Sequence, residues 1–376
     1  MKNISKYKVD KFILIPLILL AAISVVTIFS AQHLLTNSGN LALRQFIWYL
    51  LGFGLAYFIM FLGNDYIYDH AWILYIIGVI SLFLLLIFGT PINDAKCWFT
   101  LPFNLGTIQP SEFMKIILII TLGTVINEFN EDFPNPTLLE EFKFLIKVMI
   151  IVFIPGLLTF LQPDTGVVLI YLLITFVMLF ISGIRYRWFL IAFGVLFGAI
   201  ALVLSVYFIS QDLFVNIFGT SFFLRVDRLL DWSSQSGYQL ENGITAIGSG
   251  SIFGSGLAKT PVYFPEPQTD FIFAVYSSNF GFIGSIILIL LITFFDIKLI
   301  SIAIKNRSNK SKYVIAGILG MLIYQQLQNI GMTIGIMPIT GITLPFISYG
   351  GSSLLSYMIM AGIIFNISNE SLRYTN

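Results

Sequence analysis

Residues 12–32 read FILIPLILLAAISVVTIFSAQ, an apolar run that is long enough to cross a lipid bilayer as one helix. A helix rises about 1.5 Å per residue, so about 20 apolar residues cover the roughly 30 Å of hydrocarbon. Further runs of this kind lie near residues 45–63, 71–89, 112–127, 144–161, 166–183, 188–209, 271–295, 313–334 and 351–367. The sequence therefore predicts an all-α, polytopic membrane protein with about ten transmembrane helices.

The composition points to the same class of protein. The 376 residues are 57% hydrophobic and 10% charged, with a mean hydropathy of +0.90, whereas about 25% of the residues of soluble proteins are charged. A net charge of +1 provides no basic surface for nucleic acid, which we exclude as a partner. The single cysteine, Cys97, excludes an intrachain disulfide and a cysteine-based zinc site, and His33 and His70 lack the spacing of metal ligands.

The basic residues predict the orientation in the membrane. With the N-terminus in the cytoplasm, fourteen Lys and Arg residues fall in inner segments and five in outer segments, which favours this orientation. The run at 12–32 follows a lysine-rich start, and we interpret it as an uncleaved signal anchor. Both termini are then cytoplasmic, and residues 1–376 form a single transmembrane domain. Residues 210–269 form a large outer loop between helices 7 and 8, and a loop of this length is usually functional.

Ionisable residues in or beside hydrocarbon are costly, so each of them is a candidate for function. Residues 109–115 read QPSEFMK, and Glu112 and Lys115 lie three apart on one helix face, where they can neutralise each other. They are either a structural ion pair or direct contacts to a substrate. Residues 162–166 read QPDTG, where Asp164 either caps the next helix or has a functional role.

The predicted outer loop contains two arginines and a run of glycines. Arg225 and Arg228 are suited to bind a phosphate or pyrophosphate, or else they pair with Asp227 or Asp231. Residues 248–256 read GSGSIFGSG, whose glycines allow either close helix packing or close approach to a ligand. No strand precedes this run, so we exclude a nucleotide-binding loop.

Two further segments lie on the predicted outer face. In residues 265–275, PEPQTDFIFAV, Asp270 has no basic neighbour and is either a helix N-cap or a partly desolvated general base. Residues 335–353, GIMPITGITLPFISYGGSS, contain helix-breaking prolines and glycines. Such backbone survives in a membrane only where protein or a wet cavity satisfies it. All five segments fall on the outer side, which predicts a single extracytoplasmic site.

As a set, these segments resemble the SEDS family (shape, elongation, division and sporulation) over nearly the whole chain. The length and the ISG at 181–183 are more similar to RodA-type than to FtsW-type members. The resemblance implies ten helices around an outward cavity. The motifs that carry it are Trp98 before QPSE with Lys115, QPD with Gly166, GYQ at 237–239, AIGSG at 246–250, PE with TDFIFAV, NIGM at 329–332 and LPFISYGGSS.

The resemblance also implies an activity, that of a peptidoglycan glycosyltransferase which polymerises lipid II in the cell membrane of a bacterium. Asp270 matches the family's essential aspartate and is expected to deprotonate the 4-hydroxyl of the acceptor sugar. That oxygen would attack the anomeric carbon of the second substrate and displace undecaprenyl pyrophosphate with inversion. The expected substrate-binding residues are Arg225, Arg228 and Lys259 for the pyrophosphate, the polar pair Glu112 and Lys115, and Gln109, Asp164, Gln239, Ser348 and Ser352.

The expected partners follow from the same resemblance. The sequence shows no soluble domain that could crosslink peptides, so we expect a class B penicillin-binding protein beside lipid II and membrane lipid. The motifs require no cofactor. Assistance of the reaction by a divalent cation, Mg²⁺ or Mn²⁺, is left open, although the sequence shows no dedicated carboxylate cluster that would bind it.

Two departures from the family pattern are expected to matter. Lys96 and Cys97 precede Trp98, where the family usually has Arg before the Trp. Ser278 and Asn279 stand where the family commonly has two acidic residues. A scaffold that has lost catalysis is the correct interpretation only if these departures are disabling.

A lipid II flippase is the main alternative function. Ten apolar runs and the intramembrane Glu112 and Lys115 favour it. A flippase also needs polar residues along the whole crossing path, and the inner halves of the runs are nearly uncharged. Polymer formation from lipid II, as opposed to exposure of the lipid on the far leaflet, separates the two functions.

Overall fold

The computed structural model describes residues 9–35, 39–92, 95–100, 106–220, 222–223, 226 and 237–373. All ten predicted runs form helices. The helices within these ranges are α1 (Lys11–Ala31), α2 (Leu41–Leu62), α3 (Asn64–Asp69), α4 (Ala71–Phe88), α5 (Pro110–Asp132), α6 (Leu138–Leu161), α7 (Thr165–Ile181), α8 (Tyr186–Ile209), α9 (Gln211–Phe218), α10 (Tyr238–Ser249), α11 (Ile272–Lys305), α12 (Asn309–Thr333) and α13 (Gly351–Arg373).

Seven helices of the described chain are long and apolar enough to cross a membrane, namely α1, α2, α4, α6, α8, α11 and α13. The all-α, polytopic membrane fold is therefore confirmed. Helix α7 is apolar but has only 17 residues. Helices α5 and α12 are less apolar because they carry buried polar side chains such as Glu112, Lys115 and Gln325. The number of crossings stays a prediction.

Helix α5 lies at the centre of the bundle. It packs against α4, α7, α12 and α13, and nearly every residue from Pro110 to Ile126 is buried. Because α5 faces protein rather than lipid, it does not need a continuous apolar surface, and polar residues in a membrane helix normally face the bundle interior. This position explains how α5 carries a charged pair that a lipid-facing helix could not tolerate.

Side chains at the helix ends match the expected capping chemistry. Asp10 caps α1 by accepting a hydrogen bond from the Phe12 amide at 2.9 Å. Its carboxylate also contacts Lys298 of α11 at 2.9 Å and Ser368 of α13 at 2.9 Å. The start of α1 is thereby attached to two helices from the last third of the chain.

A small antiparallel sheet was not predicted from the sequence. Strands β1 (Thr90–Ile92), β2 (Ala95–Thr100) and β3 (Thr107–Ile108) pair in the order β1-β2-β3 between α4 and α5. Strands of two to six residues are too short to display a reliable alternation of apolar and polar positions. The sheet places Cys97 and Trp98 beside the start of α5.

The predicted loop 210–269 is not a simple loop, because its described part contains α9 and α10. Its glycine-rich stretch also pairs with a break in α11, where Gly281 has φ +65°. The amides of Phe282 and Ser255 donate to the carbonyls of Ser251 and Ser278, each at 2.9 Å. These bonds replace the helical hydrogen bonds that the break removes.

The glycines of this stretch are needed for backbone contact. A Cβ on Gly254 would lie 2.1 Å from the Asn279 carbonyl oxygen, and Gly254 has φ +93°. The sequence left open whether these glycines allow close helix packing or close approach to a ligand. The contacts of the described residues are packing contacts with α11. We call the pairing of residues 251–256 with the break in α11 the loop–helix joint.

Helix α8 packs loosely against the rest of the bundle. Its ring contacts with α7 involve only positions up to Phe193, such as Phe176 with Phe189 at 5.6 Å. Trp188 donates to Glu141 of α6 at 2.7 Å. Beyond these first turns, Tyr207 is the one buried residue of α8, and it packs with α9.

Candidate active site

One end of the bundle contains a cavity of about 1020 Å³. Its walls come from α2, the sheet, the start of α5, the turn before α7, residues 266–270 and residues 340–353. Four of the five segments selected from the sequence therefore border one cavity. The fifth, with the arginines and glycines, does not line it within the described part of the chain.

Asp270 lies in the cavity wall directly before α11. Burial raises the pKa of its carboxyl group to about 7, and the negative charge of Glu266 adds to this effect. A Cβ on Gly341 would be 3.5 Å from Asp270 Oδ2, so the carboxylate is held against the backbone of residue 341. The N-cap of α11 is Phe271 and no side chain caps it, so Asp270 does not serve as the N-cap that the sequence left open.

Glu112 and Lys115 form an ion pair with 2.8 Å between Oε2 and Nζ. Lys115 is fully buried, and its ammonium group lies 5.3 Å from the ring centroid of Tyr357. Glu112 borders the cavity but Lys115 does not. The structural ion pair is thus present, and only its acidic member can reach a ligand in the cavity.

Asp164 faces the same wall from the turn before α7. Its Oδ1 accepts from the Val167 amide at 3.3 Å, so it caps α7, and its Oδ2 accepts from Gln109 at 2.9 Å and Ser111 at 3.4 Å. Burial raises the pKa of the Asp164 carboxyl group, and the charge of Glu112 adds to this. Asp164 and Gln109 both line the cavity.

The remaining predicted site residues occupy different places. Ser352 lines the cavity, accepts from the Gln109 amide at 3.0 Å and donates to the Thr107 carbonyl at 3.2 Å. Ser348 is buried below the cavity surface. Gln239 donates to the Pro265 carbonyl at 3.1 Å and does not line the cavity. Lys259 is exposed and also outside it. The predictions for Arg225 and Arg228 lie outside the described residues.

Several lining residues were not selected from the sequence, and the most polar group among those of α2 belongs to Arg44. Arg44 and Trp48 are one turn apart at the start of α2 and share the cavity face with Ile47 and Leu51. A signal was present, because a cation is unfavourable in the first turn of a helix, at the positive end of the helix dipole. Within the described ranges Arg44 is the one cationic residue that lines the cavity, and no carboxylate pairs with it.

The two departures from the family pattern have distinct surroundings. Cys97 lines the cavity and its thiol donates to the Gln162 carbonyl at 2.8 Å, whereas Lys96 is exposed and does not line the cavity. Ser278 and Asn279 belong to the loop–helix joint. Asn279 donates to Ser30 of α1 at 2.6 Å, and Ser278 lies 3.1 Å from the Ser249 hydroxyl. Neutral side chains at these two positions thus satisfy hydrogen bonds away from the cavity.

The charge in the cavity is mainly negative. Its described lining has four acidic residues, Glu112, Asp164, Glu266 and Asp270, and one basic residue, Arg44. Three of these carboxylates are already engaged: Glu112 by Lys115, Asp164 by Gln109 and Ser111, and Glu266 by Gln268 and Thr269. Among the described residues no three His, Cys, Asp or Glu side chains gather as metal ligands do. Assistance by a divalent cation stays a prediction.

Fold and site together define a polytopic membrane protein with a cavity at one end of the bundle. Its wall contains a half-buried carboxyl group, Asp270, that has no ion-pair partner among the described residues. Residues 10–373 match the model of the FtsW/RodA/SpoVE family, described as cell cycle protein. The chain belongs to this family, which is the SEDS family.

Individual relatives agree over most of their length. The chain is 32% identical to stage V sporulation protein E of Bacillus subtilis, over 96% of this chain and 97% of that protein. It is 34% identical to the probable peptidoglycan glycosyltransferase FtsW of Buchnera aphidicola, over 81% of this chain and 77% of that protein.

Solved structures show the same fold. Thermus thermophilus RodA superposes with a TM-score of 0.70 at 25% identity, covering 98% of this chain and 99% of that one. A chain from a structure described as the structural coordination of polymerization and crosslinking by a peptidoglycan synthase complex superposes with a TM-score of 0.79 at 25% identity. That superposition covers 96% of this chain and 98% of the other.

Proposed function

We propose that this chain is a peptidoglycan glycosyltransferase that polymerises lipid II into glycan strands. The observation that carries the proposal is the position of Asp270, a half-buried carboxyl group in the wall of the large cavity. Relatives named peptidoglycan glycosyltransferase support this activity over the flippase. The protein acts in the cell membrane of a bacterium, with both termini in the cytoplasm and the cavity on the outer side.

Asp270 is the general base. A base is most effective when its pKa lies near the working pH, and burial gives Asp270 a pKa of about 7. Its carboxylate takes the proton of the acceptor 4-hydroxyl while the oxygen attacks the anomeric carbon of the donor sugar. The bond from that carbon to the undecaprenyl pyrophosphate oxygen breaks, and the configuration inverts.

Arg44 is suited to stabilise the departing pyrophosphate. A guanidinium group can hold phosphate oxygens with two parallel hydrogen bonds, and Arg44 lines the cavity without a carboxylate partner among the described residues. Arg225, Arg228 and Lys259 remain proposed contributors to the same charge. Gln109, Glu112, Asp164 and Ser352 line other parts of the wall, and Lys115 neutralises Glu112 from outside the cavity.

Polymerisation of labelled lipid II by the purified protein tests the proposal. We expect the intact protein to form glycan strands and Asp270→Asn to form none, since an amide of the same shape cannot accept the proton. Asp296→Asn is the matched control, because Asp296 is a buried carboxylate of α11 that does not line the cavity. Equal product from Asp270→Asn and the intact protein would contradict the assignment.

A class B penicillin-binding protein is the proposed partner. The superposition on a chain of a complex that coordinates polymerization and crosslinking supports this. We expect such a transpeptidase to copurify with this protein and to raise its rate of polymerisation. Unchanged rates across a range of transpeptidase concentrations would count against the partnership.

A further inference from the structure

The backbone just before α11 is held by three donors from distant parts of the chain. The carbonyl oxygen of Gln268 accepts from the Tyr349 amide at 2.8 Å. That of Thr269 accepts from the Ser348 hydroxyl at 2.7 Å, and that of Asp270 accepts from the Asn329 amide nitrogen at 2.8 Å. Three successive carbonyls therefore each have a different external donor. We call this arrangement the carbonyl clamp.

The donors of the clamp are themselves fixed. Asn329 of α12 is fully buried, and its Nδ2 also donates to the Ile342 carbonyl at 2.8 Å, so both amide protons are used. The Ser348 oxygen accepts from the Leu344 amide at 2.8 Å while its proton goes to Thr269. Neither side chain lines the cavity. Both are occupied with backbone and have no free proton to offer a ligand.

Two side chains of the clamped residues are also hydrogen-bonded to Glu266. Glu266 Oε2 accepts from Gln268 Nε2 at 2.9 Å and from Thr269 Oγ1 at 2.9 Å. The segment is thus held on its carbonyl side by the clamp and on its side-chain side by Glu266. The segment has two turn hydrogen bonds of its own, from the Thr269 and Phe271 amides to the Glu266 carbonyl at 3.3 and 3.2 Å. The clamp adds the bonds that attach this turn to the rest of the chain, and it thereby sets where Asp270 lies in the cavity wall.

We propose that Asn329 and Ser348 are positioning residues that orient the Asp270 carboxylate through the backbone carbonyls of residues 269 and 270. This inference rests on the proposed role of Asp270 as the base. It assigns Ser348 to positioning rather than to the substrate contact that the sequence suggested. A shift of about 1 Å in a reacting group can lower a rate about 100-fold, so loss of one clamp bond should affect turnover more than substrate binding.

The first test is Asn329→Leu, which keeps the approximate shape and removes both donors. We expect kcat for lipid II polymerisation to fall about 10- to 100-fold while KM changes less than about threefold. The matched control is Asn366→Leu. Asn366 is a buried asparagine of α13 that donates to the Ile59 carbonyl and to Asn64, each at 3.2 Å, and it does not line the cavity. Its loss should lower the melting temperature and leave kcat unchanged.

The second test uses Ser348, where one hydroxyl is changed and folding is less at risk. Ser348→Ala should lower kcat at unchanged KM, and Ser348→Thr, which keeps the hydroxyl, should restore most of it. Wild-type kcat in both Asn329→Leu and Ser348→Ala overturns the proposal. If Asn329→Leu does not fold, the Ser348 pair decides alone: loss in Ala with rescue in Thr supports the clamp, and wild-type kcat in Ala overturns it.

Asp270→Asn in the same assay separates this inference from the proposed function. If Asp270→Asn polymerises lipid II normally, the assignment of the base fails and the clamp fails with it. If Asp270→Asn is inactive while Asn329→Leu and Ser348→Ala are fully active, the base assignment stands and the clamp alone is wrong. Equal losses of kcat in Asn366→Leu and Asn329→Leu would also contradict a positioning role.

Discussion

Asp270 differs from Glu112 in the same cavity because no ion pair within the described chain compensates its charge. Glu112 has Lys115, and Asp164 has three hydrogen-bond donors. Burial raises the pKa of Asp270 to about 7 and the negative charge of Glu266 adds to this, whereas the hydrogen bond from the Thr269 side chain offsets only a part of the increase. At this pKa a carboxyl group can accept a proton near neutral pH, which an ordinary aspartate does poorly.

The pH dependence of activity should report this group. A general base works only when deprotonated, so kcat/KM should rise with pH through about 7 and be lost below it. Glu266→Gln removes a negative charge that raises the pKa of Asp270. The acid limb of the kcat/KM profile, the pH range in which activity falls on acidification, should therefore move to lower pH. Glu241→Gln, an exposed carboxylate of α10 outside the cavity, should leave the limb in place. If the acid limb of the profile lies at the same pH in Glu266→Gln and in the intact protein, a group other than Asp270 controls it.

The buried ion pair of α5 predicts a non-additive effect on stability. Lys115→Met leaves the Glu112 carboxylate buried without a partner, which should cost about 3–5 kcal/mol in the free energy of unfolding. Adding Glu112→Gln removes the uncompensated charge and should recover most of that loss. Thermal unfolding in detergent compares the two variants, and equal losses in the single and double variants would contradict the pairing.

At the scale of secondary-structure elements, α11 is two helical segments that meet at Gly281. Its first segment begins directly after Asp270 and is paired with residues 251–256 through the loop–helix joint. The break allows the first segment to follow its own direction, set by the glycine-rich stretch and by the carbonyl clamp. The geometry of the cavity wall therefore depends on glycines that do not line it.

Replacement of one glycine in the joint should be costly. Gly254→Ala would place a Cβ 2.1 Å from the Asn279 oxygen at φ +93°. Overpacking and backbone strain together should destabilise the protein by about 1–3 kcal/mol. Gly248→Ala is the matched control, since no atom lies within 4 Å of its added Cβ. Equal melting temperatures for the two variants would rule out the close backbone contact.

The sequence predicts long elements well and short ones poorly. Runs of about 20 apolar residues identify membrane helices because the bilayer imposes that length. Strands β1, β2 and β3 were not predicted, because none exceeds six residues and their alternation is too short to recognise. Asp270, Asp164 and Glu112 were selected because charge near hydrocarbon is rare. Asn329 was quoted only as part of a motif, since a buried asparagine carries no comparable signal.

On the scale of the whole molecule, the bundle has a tightly packed centre and one loosely attached helix. Helices α5, α7, α12 and α13 share the core, whereas α8 contacts α6 and α7 only through its first turns. Long-range packing of this kind cannot be read from an apolar run, because a lipid-facing and a protein-facing helix are both apolar. The sequence does not reveal which distant segments meet at the cavity for the same reason, because their contacts are also long-range.

Helix α8 should therefore be more mobile than its neighbours, because few buried contacts oppose its movement. Spin labels at Leu172 of α7 and Phe197 of α8, in a Cys97→Ala background, should give a broad distance distribution. A pair at Leu172 and Ile323 of α12 should give a narrow one, since α7 and α12 pack along each other. Distributions of equal width would contradict the loose attachment.

The carbonyl clamp has a consequence for the order in which the chain is made. The loop–helix joint connects residues 23 to 31 positions apart, so both halves are available soon after α11 leaves the ribosome. The clamp donors Asn329, Ser348 and Tyr349 follow 59, 79 and 81 positions after the carbonyls they bind. The clamp on the segment that carries Asp270 can therefore form only when the last part of the chain has been inserted. A chain that stops short of these residues keeps the contacts of Glu266 but lacks the clamp donors, so the site becomes competent as one of the last events of synthesis.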